Sequence, residues 1–122
     1  MRKLLFMAAV ALSVACCTNK NINQPIEAPA SVLQDLPGNY TFKAVVDSST
    51  RYSTAVITET AKGEYQISRV TVYGPVLYGF TLGEHASVTS EELGTGAVTY
   101  QRGIKKTTIR FEQGGSVCEL SK

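Results

Sequence analysis

The sequence is poor in the residues from which metal sites and disulfide frameworks are built. It contains no tryptophan, one histidine, His85, and only one cysteine, Cys118, after residue 17. A single histidine cannot supply a His pair to a zinc ion, and a single body cysteine cannot form an internal disulfide framework. We therefore expect no metal, and we expect Cys118 to be a small buried hydrophobic residue. A disulfide between Cys118 and Cys17 is the alternative that the sequence leaves open.

Motifs for catalysis are also absent from the sequence. No serine lies in a Gly-x-Ser-x-Gly setting, and Gly94-Thr95-Gly96 lacks the further glycine and the lysine of a phosphate-binding loop. That tripeptide is predicted to form a turn. Glu91 and Glu92 are adjacent at a predicted strand end, so their side chains point to opposite sides and cannot share one reacting bond. The sequence therefore favours a protein that is not an enzyme and holds no cofactor.

The N-terminus has the three parts of an export signal. Met1-Arg2-Lys3 is a short basic start, an apolar run of eleven residues extends from Leu4 to Val14, and the small residue Ala15 precedes Cys16. A helix needs about 20 apolar residues to cross a bilayer, so the run is too short for a permanent membrane anchor. We predict that residues 1–15 are a signal peptide that is removed.

The cysteines that follow this run extend the interpretation. The sequence Ser13-Val14-Ala15-Cys16 resembles a lipobox, the motif that lipoprotein signal peptidase cleaves before cysteine. The resemblance implies a diacylglycerol on the sulfur of Cys16, with Cys17 as the alternative lipidation site. It also implies a bacterial lipoprotein anchored to the outer membrane by its acyl chains. In the Bacteroidota lipoproteins that the chain resembles, an acidic run after the cysteine favours display on the cell surface; no such run follows Cys16 or Cys17, so the resemblance implies the periplasmic face.

The charge of the chain belongs to this signal. The full sequence has twelve basic and ten acidic residues, and removing Arg2 and Lys3 balances the two sets. A balanced mature chain offers no electrostatic attraction to nucleic acid. We therefore expect no nucleic-acid partner.

The mature chain divides into a tether and one domain. Residues 18–30 are polar apart from Ile22 and Ile26 and contain Pro25 and Pro29, so residues 16–37 are predicted to form a lipidated flexible tether. Within it, residues 31–36 fit one helical turn with Ser31 as the N-cap. Residues 38–122 are predicted to form a β domain.

Turn signals divide the β domain into short strands. They recur about every eleven residues, and seven turns separate eight strands. The predicted turns are Asp47-Ser48-Ser49, Ala61-Lys62-Gly63, Gly74-Pro75, Gly83-Glu84-His85, Gly94-Thr95-Gly96, Gln101-Arg102-Gly103 and Gln113-Gly114-Gly115.

Alternation within the strands predicts which face is buried. Tyr40, Phe42, Ala44 and Val46 share one face of the first strand of the domain. In a later strand, Tyr65 and Ile67 are in phase, whereas Val70 and Val72 have the opposite parity. This change of phase predicts a β-bulge or a bend at Ser68-Arg69.

Eight short strands without an intervening helix predict an all-β fold. The expected architecture is a small antiparallel eight-stranded up-and-down barrel, or a strongly curled meander. The segment Gly38-Asn39-Tyr40-Thr41-Phe42 resembles the Gly-x-aromatic entry of the lipocalin-like, or calycin-like, barrels of Bacteroidota lipoproteins. Because the strands are short, we expect side chains to fill the barrel and leave no large ligand cavity.

One surface cluster is a candidate binding site. Arg102, Lys105, Lys106 and Arg110 lie around the turn at Gly103, close in sequence to Tyr100, and would suit an anionic partner. The favoured function is a non-enzymatic, lipid-anchored envelope protein that binds a protein or glycan. The alternative is a lysozyme inhibitor or another hydrolase inhibitor. It comes from the resemblance of residues 94–100 to the Ser-Gly-Ala-x-Tyr region of periplasmic lysozyme-inhibitor lipoproteins.

Overall fold

Alternating apolar and polar residues build the strands of this protein. The structure, a computed structural model, describes residues 24–122; the predicted signal peptide, Cys16, Cys17 and the first residues of the predicted tether lie outside them. The strands are β1 (Ile26–Glu27), β2 (Gly38–Val46), β3 (Ser49–Ala61), β4 (Glu64–Thr71), β5 (Gly74–Leu82), β6 (Ser87–Ser90), β7 (Gly94–Gln101), β8 (Lys106–Gln113) and β9 (Ser116–Ser121). A short helix, α1 (Ala30–Leu33), precedes β2, and a 3₁₀ turn (Glu84–Ala86) precedes β6. No helix within residues 24–122 is long and apolar enough to cross a lipid bilayer.

The sheet closes on itself. Strands β2 to β9 pair with their sequence neighbours in antiparallel order, and β9 also pairs with β2. The result is a closed eight-stranded antiparallel barrel, which confirms the predicted fold class. The short strand β1 adds to β7 beside β6, where Ile26 pairs with Tyr100 and Glu27 with Thr99.

The two ends of the barrel differ. At the end where β2 begins, which we call the closed end, α1 packs Val32 and Leu33 against the core, and Leu36 is fully buried. The Tyr40 hydroxyl donates to the Leu36 carbonyl oxygen over 2.6 Å. Burial raises the pKa of Tyr40, so this hydroxyl keeps its proton. The opposite end, which holds the β2–β3, β4–β5, β6–β7 and β8–β9 turns, has no such cover among residues 24–122, and we call it the open end.

The folded unit begins before residue 38. The Ala28 amide donates to the Val98 carbonyl oxygen over 3.1 Å, and Ala28 is buried. Helix α1 starts after Pro29, and no side chain caps it, so Ser31 is not the N-cap that the sequence predicted. Residues 26–36, which the sequence assigned to the tether, therefore form part of the domain.

Apolar side chains fill the middle of the barrel. The largest fully buried ones come from the segment after α1 and from six strands: Leu36, Ile57, Ile67, Val88, Val98, Ile109, Phe111 and Leu120. Cys118 is also buried, at 6% exposure, as the sequence predicted. Each fully buried side chain of this size contributes about 1.5–3 kcal/mol to folding, so this layer supplies most of the stability.

The predicted turn at Gly94-Thr95-Gly96 is wrong, because these residues lie in β7. The β6–β7 turn is formed by residues 91–93 instead. A Cβ atom at Gly96 would overlap the Arg110 carbonyl oxygen, and one at Gly94 would overlap that of Glu112. Glycine is needed here because the backbones of β7 and β8 approach closely, not because the chain turns.

The predicted bulge at Ser68-Arg69 is also wrong. β4 pairs with β5 without interruption from Glu64 to Thr71, and the one register shift recorded for β4 lies opposite, between Glu59 and Ala61 of β3. Arg69 keeps the inward parity of Tyr65 and Ile67. Val70 and Val72, whose parity was the basis of the predicted bulge, point to solvent.

We expect Gly96→Ala to lower the free energy of unfolding by about 2–4 kcal/mol, because its methyl group would force β7 and β8 apart. Chemical denaturation of both proteins measures the difference. Gly79→Ala is the matched control, since its Cβ would meet nothing closer than 3.9 Å. Equal losses in the two variants would contradict the close approach at Gly96.

Candidate functional site

An arginine points into the barrel near its open end. β4 places Arg69 between Ala55 of β3 and Val76 of β5, on the inward face. The guanidinium carbon lies 5.1 Å from the centroid of the Phe42 ring and 5.7 Å from that of Tyr78. The two rings are nearly parallel, with centroids 6.0 Å apart. Two aromatic faces therefore hold the cation by cation–π attraction, about 0.5–2 kcal/mol for each well-placed pair.

A cavity of about 270 Å³ lies beside this arginine and opens at the open end. A small inward residue contributes to this space, since Ala44 lines the cavity at a position that bulky side chains fill elsewhere in the barrel. Most of the lining is apolar or aromatic. The polar members are Arg69, Glu92, Gln113, Ser116 and Cys118.

Arg69 lacks the polar partners that a charged group inside a protein normally has. Its Nε atom is buried and makes no hydrogen bond within residues 24–122. The ion pairs of this part of the chain involve other residues, so no carboxylate neutralises Arg69 either. An unsatisfied buried donor costs about 1–3 kcal/mol, which makes Arg69 an exception among the buried polar side chains of residues 24–122.

The nearest acid on the cavity wall is engaged elsewhere. Glu92, in the β6–β7 turn, accepts hydrogen bonds at Oε1 from the Gly79 amide and the Ser90 hydroxyl, each over 3.3 Å. The same hydroxyl accepts from the Leu93 amide over 3.2 Å. These contacts hold the carboxylate at the rim of the cavity and away from ion-pair contact with Arg69.

Cys118 contributes a thiol to the cavity wall. Burial raises its pKa from 9.0 to about 12, although the nearby charge of Arg69 acts in the opposite direction. The thiol is therefore protonated at neutral pH, and a protonated thiol is a poor nucleophile. Cys118 is free in the structure, and Cys17, its predicted alternative partner, lies outside residues 24–122.

The structure divides the basic cluster that the sequence singled out: Lys106 and Arg110 line the same outward groove, whereas Lys105 lines a pocket at the closed end. Arg102 and Lys105 are exposed in the β7–β8 turn, and Lys106 and Arg110 point outward from β8. Arg110 pairs with Glu112 over 3.3 Å and lies 3.9 Å from Glu119, so acids offset its charge.

Tyr100, the fifth residue of that cluster, is separated from Lys106 and Arg110, but it lines a pocket at the closed end together with Lys105. It packs against the core from the inward face of β7 and lies close to α1 at the closed end. The structure thus does not join Tyr100 and Arg110 in one binding surface.

The segment that resembles lysozyme inhibitors is part of the barrel wall. Residues 94–100, which carry the resemblance to lysozyme inhibitors, form a wall strand that is paired with β6, β1 and β8 and do not form a projecting loop. His85 is exposed in the 3₁₀ turn, 3.9 Å from Glu27. In residues 24–122, no three potential metal-ligating side chains come together.

Arg69 is the residue that sequence reasoning missed. The available signal was that Arg69 is the only charged residue between Tyr65 and Phe80, at a position with inward parity.

Comparison of the chain with protein-family models, with curated proteins and with solved structures finds no match.

We expect Arg69→Met to leave the free energy of unfolding equal or higher by up to about 2 kcal/mol, because methionine fills the space without an unpaired charge. Thermal and chemical denaturation measure this. Arg51→Met, at an exposed position on β3, is the control and should change stability by less than about 0.5 kcal/mol. A loss of more than about 2 kcal/mol in Arg69→Met alone would show that Arg69 serves the fold.

Proposed function

We propose that this chain is a lipid-anchored protein of the bacterial cell envelope whose barrel is a non-enzymatic binding domain. In this proposal the open end of the barrel binds a small ligand that carries a carboxylate or a similar anionic group. The observation that carries the proposal is Arg69, a cation inside the barrel with a buried Nε that lacks a partner within residues 24–122.

The chemistry of the cavity fits such a ligand. A guanidinium presents its donors in a planar fork that matches the two oxygens of a carboxylate. Phe42 and Tyr78 hold the plane of the guanidinium and offer apolar surface to the rest of the ligand. Ligand pockets for drug-sized molecules measure about 300–1,000 Å³, so a cavity of about 270 Å³ suits a smaller molecule.

Preorganisation strengthens this interaction. Folding has already removed water from the Arg69 Nε, so a ligand that accepts its hydrogen bond relieves an existing penalty and does not create one. The surrounding apolar wall lowers the local dielectric, which strengthens the attraction between the guanidinium and an anion.

The carboxylate of Glu92 repels an anionic ligand and thereby limits where the charged group of the ligand can bind. Its carboxylate lies on the rim of the same cavity, and the Gly79 and Ser90 donors fix it there. A bound anion therefore has to sit deep, at Arg69, with its neutral part toward the rim. The protonated thiol of Cys118 lines the wall without a charge of its own.

The anchor in this proposal rests on the N-terminal sequence. A basic start, an apolar run and Ala15-Cys16 support export, cleavage and lipidation at Cys16, with Cys17 as the alternative. Two or three acyl chains anchor a protein stably where one does not. We place the barrel on the periplasmic face of the outer membrane.

Benzoate is the probe for the binding site, because it joins one carboxylate to a small apolar ring. We expect saturable binding of benzoate to the full-length lipidated protein in detergent micelles, measured by NMR chemical-shift changes. Benzyl alcohol, which has the same ring without the charge, should bind at least tenfold more weakly. Arg69→Met should abolish benzoate binding, and Glu92→Gln should strengthen it.

Equal binding of benzoate and benzyl alcohol would show that the cavity selects only for apolar surface. Benzoate binding that survives Arg69→Met would place the anion elsewhere. Either result contradicts the proposed site.

Metabolic labelling with an alkyne analogue of palmitate tests the anchor. We expect label on the mature protein, loss of label in Cys16→Ser, and retention in Cys17→Ser, since only the sulfur at the cleavage point receives the diacylglycerol. Loss in Cys17→Ser alone would move the site to Cys17. Label in neither parent nor variants would reject lipidation.

A further inference from the structure

The β4–β5 hairpin separates from both of its neighbours at the open end. β3 pairs with β4 as far as Ala55 and Arg69, and β5 pairs with β6 only at Thr81 and Leu82. Residues 70–77 therefore pair only within the hairpin and with no further strand in the described chain. We call residues 70–77 the free hairpin.

The tip of the free hairpin is apolar and fully exposed. Val72 is 93% exposed and Tyr73 is 97% exposed, the highest values among the exposed large hydrophobic residues of the described chain. Val70 and Leu77, farther down the hairpin, are 58% and 55% exposed. Four exposed apolar side chains within eight residues form a cluster, and exposed apolar clusters mark sites of contact with a membrane or a partner.

The free hairpin carries no charge to oppose entry into an apolar phase. Between Tyr65 and Phe80 the only charged residue is Arg69, and it points into the barrel. The hairpin also satisfies polar groups of its own turn. The Thr71 hydroxyl donates to the Gly74 carbonyl oxygen over 2.5 Å and accepts from the Tyr73 amide over 3.2 Å. An uncharged tip whose turn is internally hydrogen-bonded lowers the cost of entering the interfacial layer, where the backbone edges of the hairpin can still bind water.

We propose that Val72 and Tyr73 insert into the interfacial layer of the bilayer to which the protein is anchored. This rests on the lipid anchor of the proposed function, which keeps a bilayer permanently within reach of the domain. Tyrosine is favoured at that depth because its ring is apolar and its hydroxyl stays among the headgroups. The open end of the barrel, with Arg69 just behind the hairpin, then faces the membrane surface.

The length of the chain before β1 allows this orientation. Ile26 enters the sheet opposite Tyr100, toward the closed end of β7. A stretch of about nine residues, such as 16–24, spans up to about 30 Å when extended. A strand of the length of β2, Gly38–Val46, rises about 30 Å along the barrel wall. A lipid at residue 16 can therefore lie in the same membrane surface as the hairpin tip.

A single introduced tryptophan reports the contact, because the sequence has none. The experiment uses full-length lipidated Tyr73→Trp in vesicles of phosphatidylethanolamine and phosphatidylglycerol, with and without bromine on the acyl chains. Ile104→Trp is the matched control, since Ile104 is 60% exposed in the β7–β8 turn at the opposite end. We expect the emission of the Tyr73→Trp variant to shift to shorter wavelength and to be at least halved by brominated lipid. The emission of the Ile104→Trp variant should not change.

Solvent-like emission of the Tyr73→Trp variant without quenching in these vesicles would overturn the inference. Shielding of its tryptophan from acrylamide in native envelopes, but not in vesicles, would also overturn it and indicate a protein partner. Tyr73→Trp in a chain that begins at Thr18, and so has neither the apolar run nor the two cysteines, separates the two proposals when it is added to the same vesicles in excess lipid. Quenching of this unlipidated protein supports hairpin insertion even if palmitate labelling shows that the chain carries no lipid.

Discussion

The limited space inside an eight-stranded barrel governs the rest of this structure. Every second residue of each strand points inward, and the strand number fixes the interior volume. In the middle and at the closed end, bulky side chains such as Ile57, Ile67 and Phe111 fill that volume. Toward the open end the inward row of β2 continues with Ala44, which lines a cavity together with Arg69. The balance between large and small inward residues thus decides which end of the barrel is filled by side chains and which end contains the cavity.

The same constraint explains why an unpaired cation is informative. An arginine in a tight interior costs stability unless its donors are satisfied, and hydrophobic residues of similar volume would cost less. Phe42 and Tyr78 compensate in part by stacking on the guanidinium, but they leave the Nε donor without an acceptor among the described residues. An interior donor without a partner, on a guanidinium that fits an anion, is the pattern expected where binding takes priority over stability. The free hairpin adjoins this site because β4 and β5 continue beyond the neighbours that pair with them.

Much of the fold follows from sequence because alternation and turn residues are local signals. The burial of Tyr40, Phe42 and Cys118 and the closed eight-stranded barrel are all confirmed, although Val46, at the end of the same inward row, is exposed at the open rim. The failures came from features that depend on another strand. Gly96 resembles a turn residue until the backbone of β8 is placed against it.

The exposed valines of the hairpin are the second feature that was predicted wrongly, and this error concealed the inward position of Arg69. Val70 and Val72 look like inward residues because apolar side chains are usually buried, so their parity suggested a bulge. Only the register of β4 against β3 and β5 shows that the valines face solvent and the arginine faces the core. The sequence prediction of a bulge at Ser68-Arg69 assigned Arg69 to neither face, and the exposed basic residues around Gly103 were favoured as the site instead.

The central claim is that Arg69 is kept inside the barrel, without a partner in the described chain, to receive an anion. The most direct measurement is the NMR resonance of the Arg69 Nε–Hε group, assigned by its disappearance in Arg69→Met, as benzoate is added. The account predicts one Nε–Hε signal that moves downfield saturably with benzoate and is unaffected by benzyl alcohol. A signal that does not respond to benzoate, while other residues of the protein do, would contradict it.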